Sequence, residues 1–313
     1  MRTIKDVGKS LRWGLGALAI LGFAVLSGCS SADSRRAEEF CKVGLERLTE
    51  NDVAAAMESF QKAIELNPNL TPARIGLGET QLRARDFNGA RESFDKALEV
   101  DPRLVDARRG RGEAFLGLRQ YEKALEDLDF ALEIDPDQTN VRANRGYAYV
   151  ALGRYDEATE DLDRCVAEAP TQPNYYVNRG ILRQKRERFA EGIEDLDKAI
   201  SLDPANPMNY AIRGKIFEDA GKWDAAVADY NKALEIDPLC FAAFKYRGIH
   251  LKGLGQWEDA LSDLTRAAEI NPNDASLYFE RAGVFKQLNK DDEYRADLKK
   301  ANELDPNFPG EPK

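Results

Sequence analysis

From residue 37 onward, small and large apolar residues recur at helical spacing, and the whole pattern repeats with a step of 34 residues. Prolines mark the step at Pro68, Pro102, Pro136, Pro170, Pro204, Pro238, Pro272 and Pro306. Counting from the residue 31 places before each proline, position 8 is small: Gly44, Gly78, Gly112, Gly146, Gly180, Gly214, Gly248 and Ala282. Position 24 is large and apolar, as in Phe60, Phe94, Leu128 and Tyr230, while positions 20 and 27 are mostly alanine. Small and large residues at this spacing let one helix face pack closely on the next. Each period therefore predicts two helices. Its proline ends the second, because a residue before proline avoids the helical region. Aromatic residues open the second helix in the middle repeats (Phe87, Tyr121, Tyr155, Phe189, Trp223 and Trp257) and read as core. The last repeat is polar where others are apolar, at Arg295 and Asn302, so residues 287–304 read as a solvent-facing cap.

A 34-residue period with this register resembles the tetratricopeptide repeat family across residues 37–306. The resemblance implies an all-α fold, a right-handed α-α superhelical solenoid of eight helix-turn-helix repeats. It also implies a protein that holds other proteins rather than one that does chemistry.

Charge adds a second pattern. Position 7 carries Arg111, Arg145, Arg179, Arg213, Arg247 and Arg281; position 23 carries Asp127, Asp161, Asp195, Asp229, Asp263 and Asp297. Repeats one and two lack both, with Val43 and Ser59, then Leu77 and Ser93. Because the two positions change together, each arginine is expected to meet the aspartate of its own repeat. Pairing with the preceding repeat's position 23 fits less well, since Arg111 would then face Ser93. The array thus divides into two subtypes, repeats one and two against repeats three to eight.

The N-terminus reads as an address. Residues 1–13 are basic and residues 14–26 form an uncharged apolar run, shorter than the roughly 20 residues a membrane helix needs. Leu26-Ser27-Gly28-Cys29 resembles the lipobox of bacterial lipoproteins. That resemblance implies a signal peptide over residues 1–28, lipid on Cys29, and a lipid-anchored protein facing the periplasm, on the outer membrane because Ser30 follows the cysteine. Residues 29–36 are expected to be a polar tether, and residues 307–313 a frayed tail.

Composition narrows the function. The net charge is −10, and removing a net +3 in residues 1–28 leaves −13, which disfavours nucleic acid as a partner. A single histidine, His250, and the absence of a phosphate loop or nucleophile elbow argue against an enzyme, a cofactor, a metal or a small-molecule substrate. Cys41, Cys165 and Cys240 fall in separate repeats and read as buried free thiols. In the family, partner peptides and proteins lie along the first helix of each repeat. The matching residues here are Asn140, Asn144, Tyr147, Asn174, Asn178 and Gln184, and then Lys215, Lys245, Lys252 and Lys286, a local basic patch suited to an acidic segment or a C-terminal carboxylate. The family's two-carboxylate clamp needs Lys at position 5 and Asn at position 9. Repeat seven offers Lys245 but Ile249, and no repeat has both. The expected function is a membrane-anchored scaffold that binds peptide segments or partner proteins in assembling cell-envelope machinery. The alternative is a lipoprotein scaffold that assembles with itself.

Overall fold

The computed structural model describes residues 32–306. The signal segment, Cys29 and the tail 307–313 lie outside the described residues. Within them the chain forms sixteen helices and no strand. They come in pairs, one pair per repeat: α1 (Ala32–Thr49) with α2 (Val53–Leu66), α3 (Thr71–Arg83) with α4 (Phe87–Val100), α5 (Val105–Gly117) with α6 (Tyr121–Ile134), and α7 (Thr139–Ala151) with α8 (Tyr155–Glu168). The series continues with α9 (Pro173–Lys185) and α10 (Phe189–Leu202), α11 (Pro207–Asp219) and α12 (Trp223–Ile236), α13 (Phe241–Gly253) and α14 (Trp257–Ile270), and α15 (Ala275–Gln287) and α16 (Asp291–Leu304).

Each boundary has a local cause. The first helix of every repeat ends at position 13, and two residues on the backbone turns left-handed: Asn51, Arg85, Arg119, Gly153, Glu187, Gly221, Gly255 and Asn289 all have φ between 55° and 74°. Glycine takes that conformation freely, and L-residues at a cost of about 1–2 kcal/mol. The second helix ends at position 30. The following residue is extended, as at Asn67 (φ −140°, ψ 92°), because a proline comes next. Position 4 then fastens the turn. Arg74 and Arg108 donate to the carbonyls of Pro68 and Pro102 at 2.7 and 3.0 Å, while Tyr176 and Tyr278 donate their hydroxyls to Pro170 and Pro272 at 3.1 Å.

Position 24 fills the interior. Phe60, Phe94, Leu128, Leu162, Leu196, Tyr230 and Leu264 have no exposed surface. Position 8 faces them. A Cβ on Gly44 or Gly78 would sit 2.7 Å from the ring of Phe60 or Phe94, so only glycine lets these helices meet. Cys41, Cys165 and Cys240 are buried free thiols, and burial first, then nearby Glu38, pushes Cys41 up to about 11.

The described residues form two compact units, 32–154 and 155–306. The boundary falls inside the fourth repeat, between α7 and α8, and so does not follow the two sequence subtypes. In the first unit α1, α3, α5 and α7 touch in succession; in the second, α9, α11, α13 and α15 do. First helices therefore line one side of each unit. One expectation is corrected. The polar stretch 32–36, read as tether, is the first turn and more of α1, because Ala-Asp-Ser-Arg-Arg holds no helix breaker and Asp33 suits a helix start.

Candidate functional site

The arginine ladder sits between the paired helices. Arg111 donates to both oxygens of Asp127 at 2.7 and 2.8 Å, and Arg213 does so to Asp229 at 2.8 and 2.7 Å. Arg179 with Asp195, Arg247 with Asp263 and Arg281 with Asp297 repeat this fork at 2.7–3.0 Å. These aspartates are buried. In the fourth repeat Arg145 lies in one unit and Asp161 in the other; Asp161 is buried as well. Hydrogen bonds to their own aspartates, working against burial, hold the Arg111, Arg213, Arg247 and Arg281 guanidiniums above their ordinary value. Each is also flanked by an aromatic ring, as Arg213 is by Tyr210 and Phe217 at 5.6 Å.

The ladder also ties repeats together, which the sequence reading had set aside. The third nitrogen reaches position 25 of the preceding repeat: Arg111 to Asp95 at 2.8 Å, Arg145 to Asp129 at 2.9 Å, Arg179 to Asp163 at 2.9 Å, and Arg213 to Asp197 at 2.6 Å. At Arg247 the acceptor is the neutral amide of Asn231, at 2.7 Å. The cross-repeat partner is position 25, two residues beyond the position 23 that the sequence pattern disfavours.

Three lysines of the expected basic patch are engaged within the array. Lys245 Nζ donates to Asp274 at 2.8 Å and Ser276 at 2.6 Å, and Lys252 donates to Glu280 at 2.8 Å. Lys215 is held by Asp219 and lies 3.5 Å from Glu218. Lys286 lies over the Tyr294 ring at 5.7 Å. Three of the four lysines are thus spent on acids of their own or the next repeat, and they present no pool of free positive charge.

The asparagines differ. Asn140 and Asn144 lie one turn apart on α7, and Asn174 and Asn178 one turn apart on α9. Among the described residues none of the four has a side-chain hydrogen-bond partner, and none is fully buried. Tyr147, one turn beyond Asn144, is exposed and meets Tyr121 edge-on at 6.3 Å. Gln184, the other amide on α9, is engaged with Asp219 at 2.6 Å. In the first unit the same side carries Arg109, 3.3 Å from both Glu79 and Asp106. Burial raises the Glu79 carboxyl above its ordinary value, and Arg109 only partly opposes it.

Position 6 explains why amides occur where they do. In repeats two and three it is Gly76 and Gly110, and a methyl on either would overlap the ring of Phe60 or Phe94 from the preceding repeat. Where position 24 is the smaller Leu128 or Leu162, position 6 of the next repeat is Asn144 or Asn178. Among the described residues no group of three His, Cys, Asp or Glu converges to hold a metal, and no helix is long and apolar enough to cross a membrane.

Comparison with known proteins gives the fold a family. Models described as tetratricopeptide repeat match residues 40–70, 75–139, 119–177, 177–239 and 275–308. A search of curated proteins finds no match. Among solved structures, the chain is similar to a tetratricopeptide repeat protein from Parabacteroides merdae, at 22% identity and TM-score 0.68, covering 80% of this chain and 99% of that one. It is similar to pilF of Pseudomonas aeruginosa at 17% identity and TM-score 0.53, covering 69% and 99%. It is also similar to PilW, a widely conserved type IV pilus biogenesis factor, at 19% identity and TM-score 0.57, covering 64% and 94%.

Proposed function

We propose, for a chain that belongs to the tetratricopeptide repeat family, a non-catalytic scaffold that binds extended segments of partner proteins along its first helices. The observation that carries this reading is the contrast on those helices. Lys215, Lys245 and Lys252 are committed to internal acids, while Asn140, Asn144, Asn174 and Asn178 keep their amides free. An amide supplies both a donor and an acceptor, which matches the backbone of an extended peptide. With the lysines neutralised, the favoured segment is uncharged, and its binding depends little on salt.

The scaffold is held at a membrane by lipid on Cys29, facing the periplasm from the outer membrane, and serves the assembly or regulation of cell-envelope machinery. Leu26-Ser27-Gly28-Cys29 supports the anchor. The likeness in fold to a type IV pilus biogenesis factor supports the setting. Purification of the full chain from its native membrane after mild crosslinking tests the reading. Partners should be recovered, and recovery should fall at least tenfold in a variant carrying Asn140→Ala, Asn144→Ala, Asn174→Ala and Asn178→Ala. Recovery of the bait alone, or equal recovery by the variant, refutes it. Loss of labelled-palmitate incorporation in Cys29→Ala tests the anchor separately.

A further inference from the structure

In the second unit the joints between repeats are tied by permanent charges at every step but one. Arg179 reaches Asp163 at 2.9 Å and Arg186 reaches Asp156 at 2.9 Å, joining repeats four and five. Arg213 and Asp197, at 2.6 Å, join five and six. Lys252 with Glu280, at 2.8 Å, joins seven and eight, and Lys245 holds Asp274, the cap of α15, at 2.8 Å. Between six and seven, no arginine or lysine meets a carboxylate among the described residues. Arg247 crosses only to the neutral Asn231. The one acid–base contact there is His250 Nδ1 with Glu218 Oε1, at 3.4 Å.

His250 is the only histidine in the chain, and it is 5% exposed. Trp223 of repeat six stacks on its ring, with centroids 5.6 Å apart at 28°. Glu218 also accepts from the Tyr230 hydroxyl at 3.0 Å and lies 3.5 Å from Lys215. The other charges near the joint are committed elsewhere. Asp219 holds Lys215 on α11, Arg247 on α13 holds Asp263 of α14, and Asp274 and Glu280 hold Lys245 and Lys252. Tyr230 and Tyr246 complete the packing, and burial raises both phenols above their ordinary value, so they stay neutral.

We propose that the joint between repeats six and seven is a pH-sensitive hinge, closed when His250 carries a proton and loosened when it does not. The proton turns a contact between a neutral ring and a carboxylate into an ion pair in a low-dielectric interior. It also places a cation against the face of Trp223.

Hydrogen exchange of the full chain tests this, with rates corrected for the intrinsic pH dependence of exchange. Between pH 5.5 and 7.5, protection across Phe241–Gly253 should fall at least threefold relative to Pro173–Lys185. The step should vanish in His250→Gln and in Glu218→Gln. Quenching of Trp223 emission by the imidazolium, read in a Trp13→Phe, Trp257→Phe background, should follow the same titration. No step in the wild type, or a step of equal size in either variant that folds, overturns the proposal. The wild-type result is decisive even where a variant fails to fold.

Discussion

The Arg213–Asp229 fork is the sharpest test of the ladder. Asp229 accepts two hydrogen bonds from Arg213, at 2.7 and 2.8 Å, and its side chain is 8% exposed. The third bond of Arg213, to Asp197, reaches a carboxylate that is 54% exposed. Removing one partner of a buried pair strands the other charge and costs about 3–5 kcal/mol, whereas an exposed pair contributes less than about 1 kcal/mol. Arg213 keeps some solvent and keeps Asp197, so Asp229→Ala is expected near the lower figure, about 3 kcal/mol. Asp197→Ala should cost under about 1 kcal/mol. A double-mutant cycle with Arg213→Met and Asp229→Ala, measured by urea unfolding of the full chain, should give a coupling of about 1.5–3 kcal/mol. Hydrogen exchange should place the Asp229→Ala loss within α11 and α12, because a repeat array loses stability where its local term is cut. A coupling below about 0.5 kcal/mol would show that the fork is a pair of solvated charges and that the ladder is not structural.

Other expectations follow from the same geometry. Arg119→Gly and Glu187→Gly should each stabilise by about 0.5–1 kcal/mol, since left-handed backbone costs L-residues more than glycine loses in chain entropy; an unchanged urea midpoint contradicts this. Gly110→Ala should destabilise by about 1–3 kcal/mol through overlap with Phe94. Adding Phe94→Leu should recover part of that loss, and failure to recover would mean the two positions are not coupled. The Asp274 carboxyl is lowered: burial works to raise it, but Lys245, Ser276 and the Leu277 N–H outweigh burial. Its contribution is therefore present above the ordinary carboxylate range and fades as pH falls through the lowered folded value. The stability difference between wild type and Asp274→Asn should shrink from pH 7 to pH 2, and a difference that does not change with pH contradicts the assignment.

The fold was largely legible because repetition supplies its own alignment. Eight prolines at a fixed step, with Gly44 to Ala282 and Phe60 to Leu264 in register, specify sixteen helices without reference to any other chain. The left-handed turn was equally present, in Asn51, Gly153, Gly221, Gly255 and Asn289. Arg85, Arg119 and Glu187 obscured it, because L-residues can take that backbone at a cost. The link between Phe94 and Gly110 is also in the sequence. It becomes readable only once stacking shows that position 24 of one repeat touches position 6 of the next.

The pairing of the lysines was hidden for a different reason. Lys245 and Asp274 lie 29 residues apart, and Lys252 and Glu280 lie 28 apart. Each pair occurs at a single joint of the array, so no column of the repeat shows the pairing. A positive face read from one helix is balanced by acids on the same helix at Lys215 and by acids at or on the next repeat's first helix at Lys245 and Lys252. The asparagines stay candidates because their side chains have no hydrogen-bond partner among the described residues.

Whether those amides meet a partner is the direct question. A photo-crosslinking residue placed at Asn178, in the full chain in its native cell, reads the first-helix face; the same residue at exposed Glu194 on α10 reads the other helix. Crosslinks to another protein from position 178 and not from 194 are the expected result. Crosslinks from both positions alike, or from neither, would contradict binding along the first helices.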